Sequence, residues 1–195
     1  TLICGDVLRN KNTIEPAVLQ SITEATNRLG GEFILVANLP YQVASPLIVN
    51  LLLLNQPSCD AIFVTVQAEV AQRMIAPANT KEYGLLSILM QALGEVELLR
   101  WVGPQAFWPA PKVNSAMVAW HRDPERQQRV GDVRRLKALI DLFLRHRRKK
   151  IKSCLKTAPS ELLDLLDQAG IDPNARGETL FVEQYATLAR LWSRP

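Results

Sequence analysis

The chain has 195 residues, 48% hydrophobic and 22% charged, proportions that suit a globular core with a small appendage and exclude disordered or fibrous classes. A net charge of +4 is only mildly basic, so the placement of charge matters more than its total. Cys4, Cys59 and Cys154 form no Cys-x-x-Cys or Cys/His cluster and the most apolar run, 47–54, falls far short of the ~20 residues of a membrane span; a reduced, cytoplasmic protein without metal is expected.

Residues 2–4 read as the end of a strand, with Gly5-Asp6 as the turn at its C-terminal edge. The chain opens on this apolar strand already running, without an initiator Met, and so reads as the C-terminal part of something longer. Pro16–Leu29 carries Val18, Leu19, Ile22 and Leu29 at helical spacing and stops on Gly30-Gly31. The apolar run over 33–37 is continuous rather than alternating, which predicts a parallel strand covered on both faces. Ser45 caps a helix that begins at Pro46 and ends near Asn55. A second buried strand follows over 61–66, then a helix over 67–75 ended by Pro77. Leu85–Leu93 reads as helix or strand; 95–102 and 113–121 read as strands. The polar stretch 122–132 breaks the pattern and is read as a linker. Everything after it is helical in pattern: 133 to about 157, 160–169 and 182–193. The alternation predicts a doubly wound α/β domain over 1–122 and a small all-α domain over 123–195.

Asn38-Leu39-Pro40-Tyr41 ends the 33–37 strand, and in open α/β sheets ligands sit just beyond strand C-termini. The Asn38 side-chain oxygen can accept a hydrogen bond from an exocyclic base amine. Pro40 biases Leu39 towards an extended conformation that aims the Leu39 carbonyl as a second acceptor. Two acceptors pull the amine towards a tetrahedral, nucleophilic shape, and Tyr41 offers a face on which a flipped-out base can stack. The same tetrapeptide is also an ordinary strand-to-turn stop. At a strand end, Asp6 could accept from an adenine amine or a ribose hydroxyl, though Gly-Asp is equally a common turn.

The string from Phe107 through Trp108-Pro109-Ala110-Pro111-Lys112-Val113 enters a strand by way of two prolines, which enforce a stiff, extended path. That path can hold Phe107 facing Tyr41 across a cleft, with Lys112 near a phosphate; the alternative is a Pro-rich edge connection whose aromatics fill the core. In 145–152, six of eight residues are Lys or Arg and none is acidic. On one continuous helix Leu136, Ile140, Phe143, Ile151, Cys154 and Leu155 share a face. Most of Arg145, Arg147, Arg148, Lys149, Lys150 and Lys152 then form a stripe on the other, suited to nucleic acid or to plain solvation. The nine glycines form no Gly-x-Gly-x-x-Gly or Walker pattern.

Taken in order, Gly5-Asp6, Asn38 to Tyr41, Glu69-Val70-Ala71-Gln72-Arg73-Met74, Tyr83-Gly84-Leu85-Leu86-Ser87, residues 107–118, Arg147-Arg148-Lys149-Lys150 and the segment from Gly170-Ile171-Asp172-Pro173 to Tyr185 resemble the ribosomal small-subunit adenine dimethyltransferase family. The resemblance covers nearly the whole chain. It implies a Rossmann-like class I methyltransferase sheet, N-terminally truncated, with a small all-α C-terminal domain. It also implies S-adenosylmethionine-dependent N6,N6-dimethylation of adjacent adenosines in small-subunit ribosomal RNA, hence a place in small-subunit maturation. By this resemblance Asp6 contacts the adenine of S-adenosylmethionine, with Asn38 also at the cofactor. Asn38 and the Leu39 carbonyl, shaped by Pro40, orient the target amine, and Tyr41 and Phe107 stack its ring. Lys112 and the cations of 145–152 meet ribosomal RNA of the small-subunit precursor; neither membrane nor metal is involved. Asn114 stands where this branch commonly carries Asp, and the family's glycine-rich loop and ribose-binding acid are not in these residues. The 33–37 strand is then expected to keep one unpaired edge, and the isolated chain to bind the cofactor weakly and to self-associate or need the segment in trans. Two alternatives stay open: a non-catalytic RNA-binding or ribosome-assembly module, and a large-subunit adenine dimethyltransferase of the resistance type.

Overall fold

The computed structural model describes residues 2–192, the Thr157 side chain excepted. The chain falls into two compact units: residues up to Ala71 with Val96–Arg122, and Gln72–Glu95 with the chain from Asp123 onward. The second unit thus opens where the expected linker began, and it takes in a segment that sequence reading placed in the α/β domain.

The first unit is built on a four-stranded sheet. β3 (Phe33–Asn38) pairs in parallel with β4 (Cys59–Gln67), β4 pairs antiparallel with β6 (Ser115–Arg122), and β5 (Gly94–Val102) lies beyond β6. Ahead of it come a small hairpin, β1 (Leu8–Asn10) with β2 (Thr13–Ile14), and α1 (Pro16–Leu29). Pro16 starts α1 where its missing N–H costs nothing, and Gly30 closes it at φ 61°, returning its N–H to the Thr26 carbonyl. α2 (Ala44–Leu52) lays Leu47, Ile48, Leu51 and Leu52 into the core beside β4. Burial pushes the Cys59 thiol up to about 11, so it is an inert core group rather than a nucleophile.

Several expectations are corrected here. Residues 2–4 form no strand; with no neighbour to pair, Leu2 stays exposed and the Asp6 carboxylate instead takes the Leu8 N–H at 3.1 Å to start the hairpin. β3 is not covered on both faces. Its burial alternates, Val36 is 75% exposed and Ile34 44%, because β3 is an edge strand of the described sheet. A run of apolar residues cannot reveal a missing neighbour. The helix after the Asn38 motif begins at Ala44, not after a Ser45 cap: the Pro40 carbonyl already accepts from the N–H groups of Val43 and Ala44 at 3.0 and 3.1 Å. Pro46 still falls in the first turn, where no intrahelical acceptor is lost.

In the second unit Leu85–Leu93 is a helix, α4, with Leu86, Ile88, Leu89, Met90 and Leu93 buried. The expected linker is largely a helix, α5 (Pro124–Val130), and carries the full set of start signals: Asp123 accepts from the N–H groups of Glu125 and Arg126, with Pro124 at the first position. Arg126 donates to the carbonyls of Gln91 (3.1 Å) and Gly94 (2.6 Å), closing the C-terminal end of α4 with a cation where the helix dipole favours one. α6 (Val133–Leu144) is capped by Asp132 and is followed by α7 (Ile151–Cys154), α8 (Glu161–Gln168) and α9 (Val182–Trp192). The long helix expected over 133–157 therefore stops at Leu144, and the basic run leaves it as a turn. Among the described residues, no helix is long and apolar enough to cross a membrane, and no group of side chains could hold a metal ion.

Candidate functional site

Strand register fixes what meets at one edge of the sheet. Asn38, the last residue of β3, sits opposite Thr65 of β4, and Thr65 sits opposite Met117 of β6. Because β6 runs antiparallel, its first residue, Ser115, pairs with Gln67 at the C-terminal end of β4. The Asn114 carbonyl then accepts the Ala68 N–H at 2.9 Å. The 107–114 loop and Asn38 to Tyr41 therefore come off the same C-terminal edge, which is where open α/β sheets hold ligands.

The Asn38 motif is locally over-determined. The Leu39 side chain is buried and its N–H donates to the Thr65 carbonyl at 3.1 Å, anchoring the backbone just past the strand. Pro40 turns the chain into α2 through its carbonyl, as above. What remains is chemically available. Among the described residues nothing donates to the Asn38 side-chain oxygen or to the Leu39 carbonyl, and Asn38 is exposed. Tyr41 is 38% exposed beside them. Phe107 is half-buried with extended backbone, directly after a turn of 3-10 helix, Pro104–Ala106, whose Pro104 carbonyl takes its N–H at 3.1 Å. The two rings make no contact with each other.

The neighbouring Trp108, 98% exposed, is the residue that sequence reasoning passed over. Its signal was available: an aromatic held between Phe107 and Pro109 on a stiff loop has no core to enter. Lys112 is exposed on the same loop.

The described residues do not compose a pocket for S-adenosylmethionine by themselves. Asp6 is exposed, precedes a hairpin rather than ending a sheet strand, and is occupied by the Leu8 N–H. No glycine-rich loop occurs in the 195 residues.

In the second unit, Arg145, Arg148, Lys149, Lys150 and Lys152 are exposed. Arg147 is not one of this set. Its guanidinium binds the Glu178 carboxylate at 3.0 Å and the carbonyls of Lys81 (2.9 Å), Thr80 (3.2 Å) and Tyr83 (2.9 Å). A flat fork of donors suits four such acceptors, and this inward turn ends any continuous basic stripe. The acceptors are themselves fixed: the Asn79 N–H donates to the Glu178 carbonyl at 2.8 Å, and Tyr83 donates its hydroxyl to the Leu180 carbonyl at 2.9 Å from a fully buried position. Burial drives the Tyr83 and Tyr185 hydroxyls well above the usual phenol range, so both remain neutral donors; Tyr185 serves the Gly177 carbonyl at 3.0 Å. Arg176, which sequence spacing did not single out, stands opposite Lys150 in an antiparallel bridge.

Comparison with known proteins agrees with this geometry. The family described as ribosomal RNA adenine dimethylase matches residues 9–193. The ribosomal RNA small subunit methyltransferase A of Anaeromyxobacter dehalogenans is 39% identical over 166 residues, 83% of this chain and 57% of that protein. Its namesake from Synechocystis is 40% identical over 162 residues, 80% of this chain and again 57% of the relative. The chain thus spans just over half the length of these relatives. Among solved structures, a dimethyladenosine transferase from Plasmodium falciparum superposes with a TM-score of 0.71 at 18% identity, covering 92% of this chain and 80% of that one. The 23S rRNA methyltransferase ErmE gives 0.56 at 22% identity with the same coverage. At these identities the likeness is one of fold, a Rossmann-like sheet with a helical C-terminal part.

Proposed function

Since the chain belongs to the ribosomal RNA adenine dimethylase family, we propose that it supplies the base-accepting and RNA-contacting parts of an S-adenosylmethionine-dependent enzyme. That enzyme dimethylates adenine N6 in small-subunit ribosomal RNA, in the cytoplasm, during subunit maturation. The observation that carries the reading is the pair of unclaimed acceptors, the Asn38 side-chain oxygen and the Leu39 carbonyl, at the ligand edge of the sheet. An adenine amine brought to them donates one N–H to each. The nitrogen lone pair is then drawn out of conjugation with the ring and made nucleophilic. No charged base is needed, so catalysis is positioning plus exclusion of water. Tyr41 and Phe107 hold the extruded base by its faces, and Lys112 and the cations of the basic turn meet backbone phosphate.

The stacking roles set an experiment. Tyr41→Ala and Phe107→Ala should each lower methyl transfer about ten- to a hundred-fold, from a stacking contribution of ~1–3 kcal/mol per base. Tyr41→Phe should stay within a few-fold of wild type. Equal losses from Phe and Ala at position 41, in single-turnover assays, would assign the work to the hydroxyl instead.

The open edge of β3 bears on the isolated 195 residues. Val36 and Ile34 lie exposed on a strand without charge, proline or covering helix to block pairing. This chain alone should therefore self-associate and titrate weakly, if at all, with S-adenosylmethionine. A monodisperse monomer by sedimentation with micromolar cofactor affinity by calorimetry would falsify that expectation.

A further inference from the structure

Lys150 and Arg176 face each other as partners of an antiparallel bridge, and both are exposed. Directly opposed residues of such a pair carry their side chains on one side with Cβ atoms about 5 Å apart, and like charges placed so repel. Nothing nearby relieves them. Residues 145–156 contain no acid. The two acids of 172–178 are both committed: Asp172 accepts from the Asn174 backbone (2.8 Å) and side chain (3.2 Å), and Glu178 is held by Arg147. Nor is the pair free to swing apart. The N–H groups of Ile151 and Lys152 donate to the carbonyls of Ala175 and Pro173, both at 2.9 Å, which pins the two segments together. Behind Arg176, Gly177 packs so closely on Phe143 that an added Cβ would lie 2.9 Å from the Phe143 carbonyl oxygen. A rigid, uncompensated pair of cations is a site waiting for an anion.

We infer that Lys150 and Arg176 form a two-cation cradle for a single backbone phosphate of RNA. This rests on the reading of the chain as a ribosomal RNA enzyme and adds to it a contact residue, Arg176, outside the basic run.

The test measures binding of a short duplex RNA to the 195-residue chain by fluorescence anisotropy over a range of salt, alongside thermal unfolding of the free protein. Arg176→Gln and Lys150→Gln should each flatten the slope of log affinity against log salt by about one, the value for one lost phosphate contact. The double variant should flatten it no further, because the phosphate is shared, while Arg176→Lys keeps the wild-type slope. Without RNA, Arg176→Gln should melt higher than wild type at low salt and equal to it at high salt, as relief of repulsion requires. Wild type with a steep slope that neither single variant changes, or losses that add in the double variant, overturns the cradle while leaving RNA binding intact. A wild-type chain with no salt-dependent RNA affinity overturns the cradle and the RNA reading together.

Discussion

Asn38→Ala is expected to lower methyl transfer by about a hundred- to a thousand-fold, the scale seen when one preorganised hydrogen-bonding group is removed from a reacting centre. The substitution deletes one of two acceptors at an exposed position, so neither the core nor the Leu39 anchor to Thr65 is disturbed. RNA affinity should stay within a few-fold, since it arises mainly from phosphate contacts made by other residues. The comparison is single-turnover methylation beside RNA binding, in a version of the protein that holds a complete cofactor site. Near-normal methylation by the variant would remove Asn38 from the chemistry and leave its motif as a strand stop.

The second large effect is on stability. Arg147→Ala removes a charge-assisted bond to Glu178 and leaves three backbone carbonyls without their donor. Bonds to charged groups contribute roughly 1.5–3 kcal/mol, and a pair as exposed as Arg147 and Glu178 adds little beyond that through charge alone. A loss of about 2–3 kcal/mol follows, a factor of roughly 30–150 in the folding equilibrium. Arg147→Lys should recover only a small part, because one ammonium cannot span the four acceptors. Arg148→Ala, one residue on and exposed, should change stability by less than about 0.5 kcal/mol. Urea unfolding of the three variants makes the comparison. Equal stability of the Arg147 and Arg148 variants, with the Arg147 variant flattening the salt dependence of RNA binding, would return Arg147 to the set of surface cations.

Much of this was legible in the residues. The strand that ends on Asn38, the helix from Pro16 to Leu29 and the strand-entry string after Phe107 each carry local chemistry that permits few folds. The edge that gathers Asn38 and the 107–114 loop followed from a parallel strand and an antiparallel return, although the register had to be seen. The failures have distinct physical causes. Whether β3 is covered depends on a neighbour, which no run of apolar residues encodes. In 123–130 the polarity of the side chains hid an Asp-Pro-Glu helix start, which composition could not show but capping rules could. The break after Leu144 was invisible because its cause lies far away in sequence: Arg147 is drawn to carbonyls of Thr80, Lys81 and Tyr83, a tertiary demand that overrides helical pattern. The bridge that sets Arg176 beside Lys150 is likewise a long-range pairing.

The most direct measurement of the central claim is nucleoside mass spectrometry of small-subunit ribosomal RNA from cells with the encoding gene intact, deleted, and restored as wild type or Asn38→Ala. N6,N6-dimethyladenosine should be present with the gene, disappear on deletion, return with the wild-type copy and fail to return with the Asn38 variant. Unchanged dimethyladenosine after deletion, with assembly of the small subunit nonetheless impaired, would contradict the account and identify the chain as an RNA-binding assembly module. A loss confined to large-subunit RNA would contradict it in favour of the other branch of the fold.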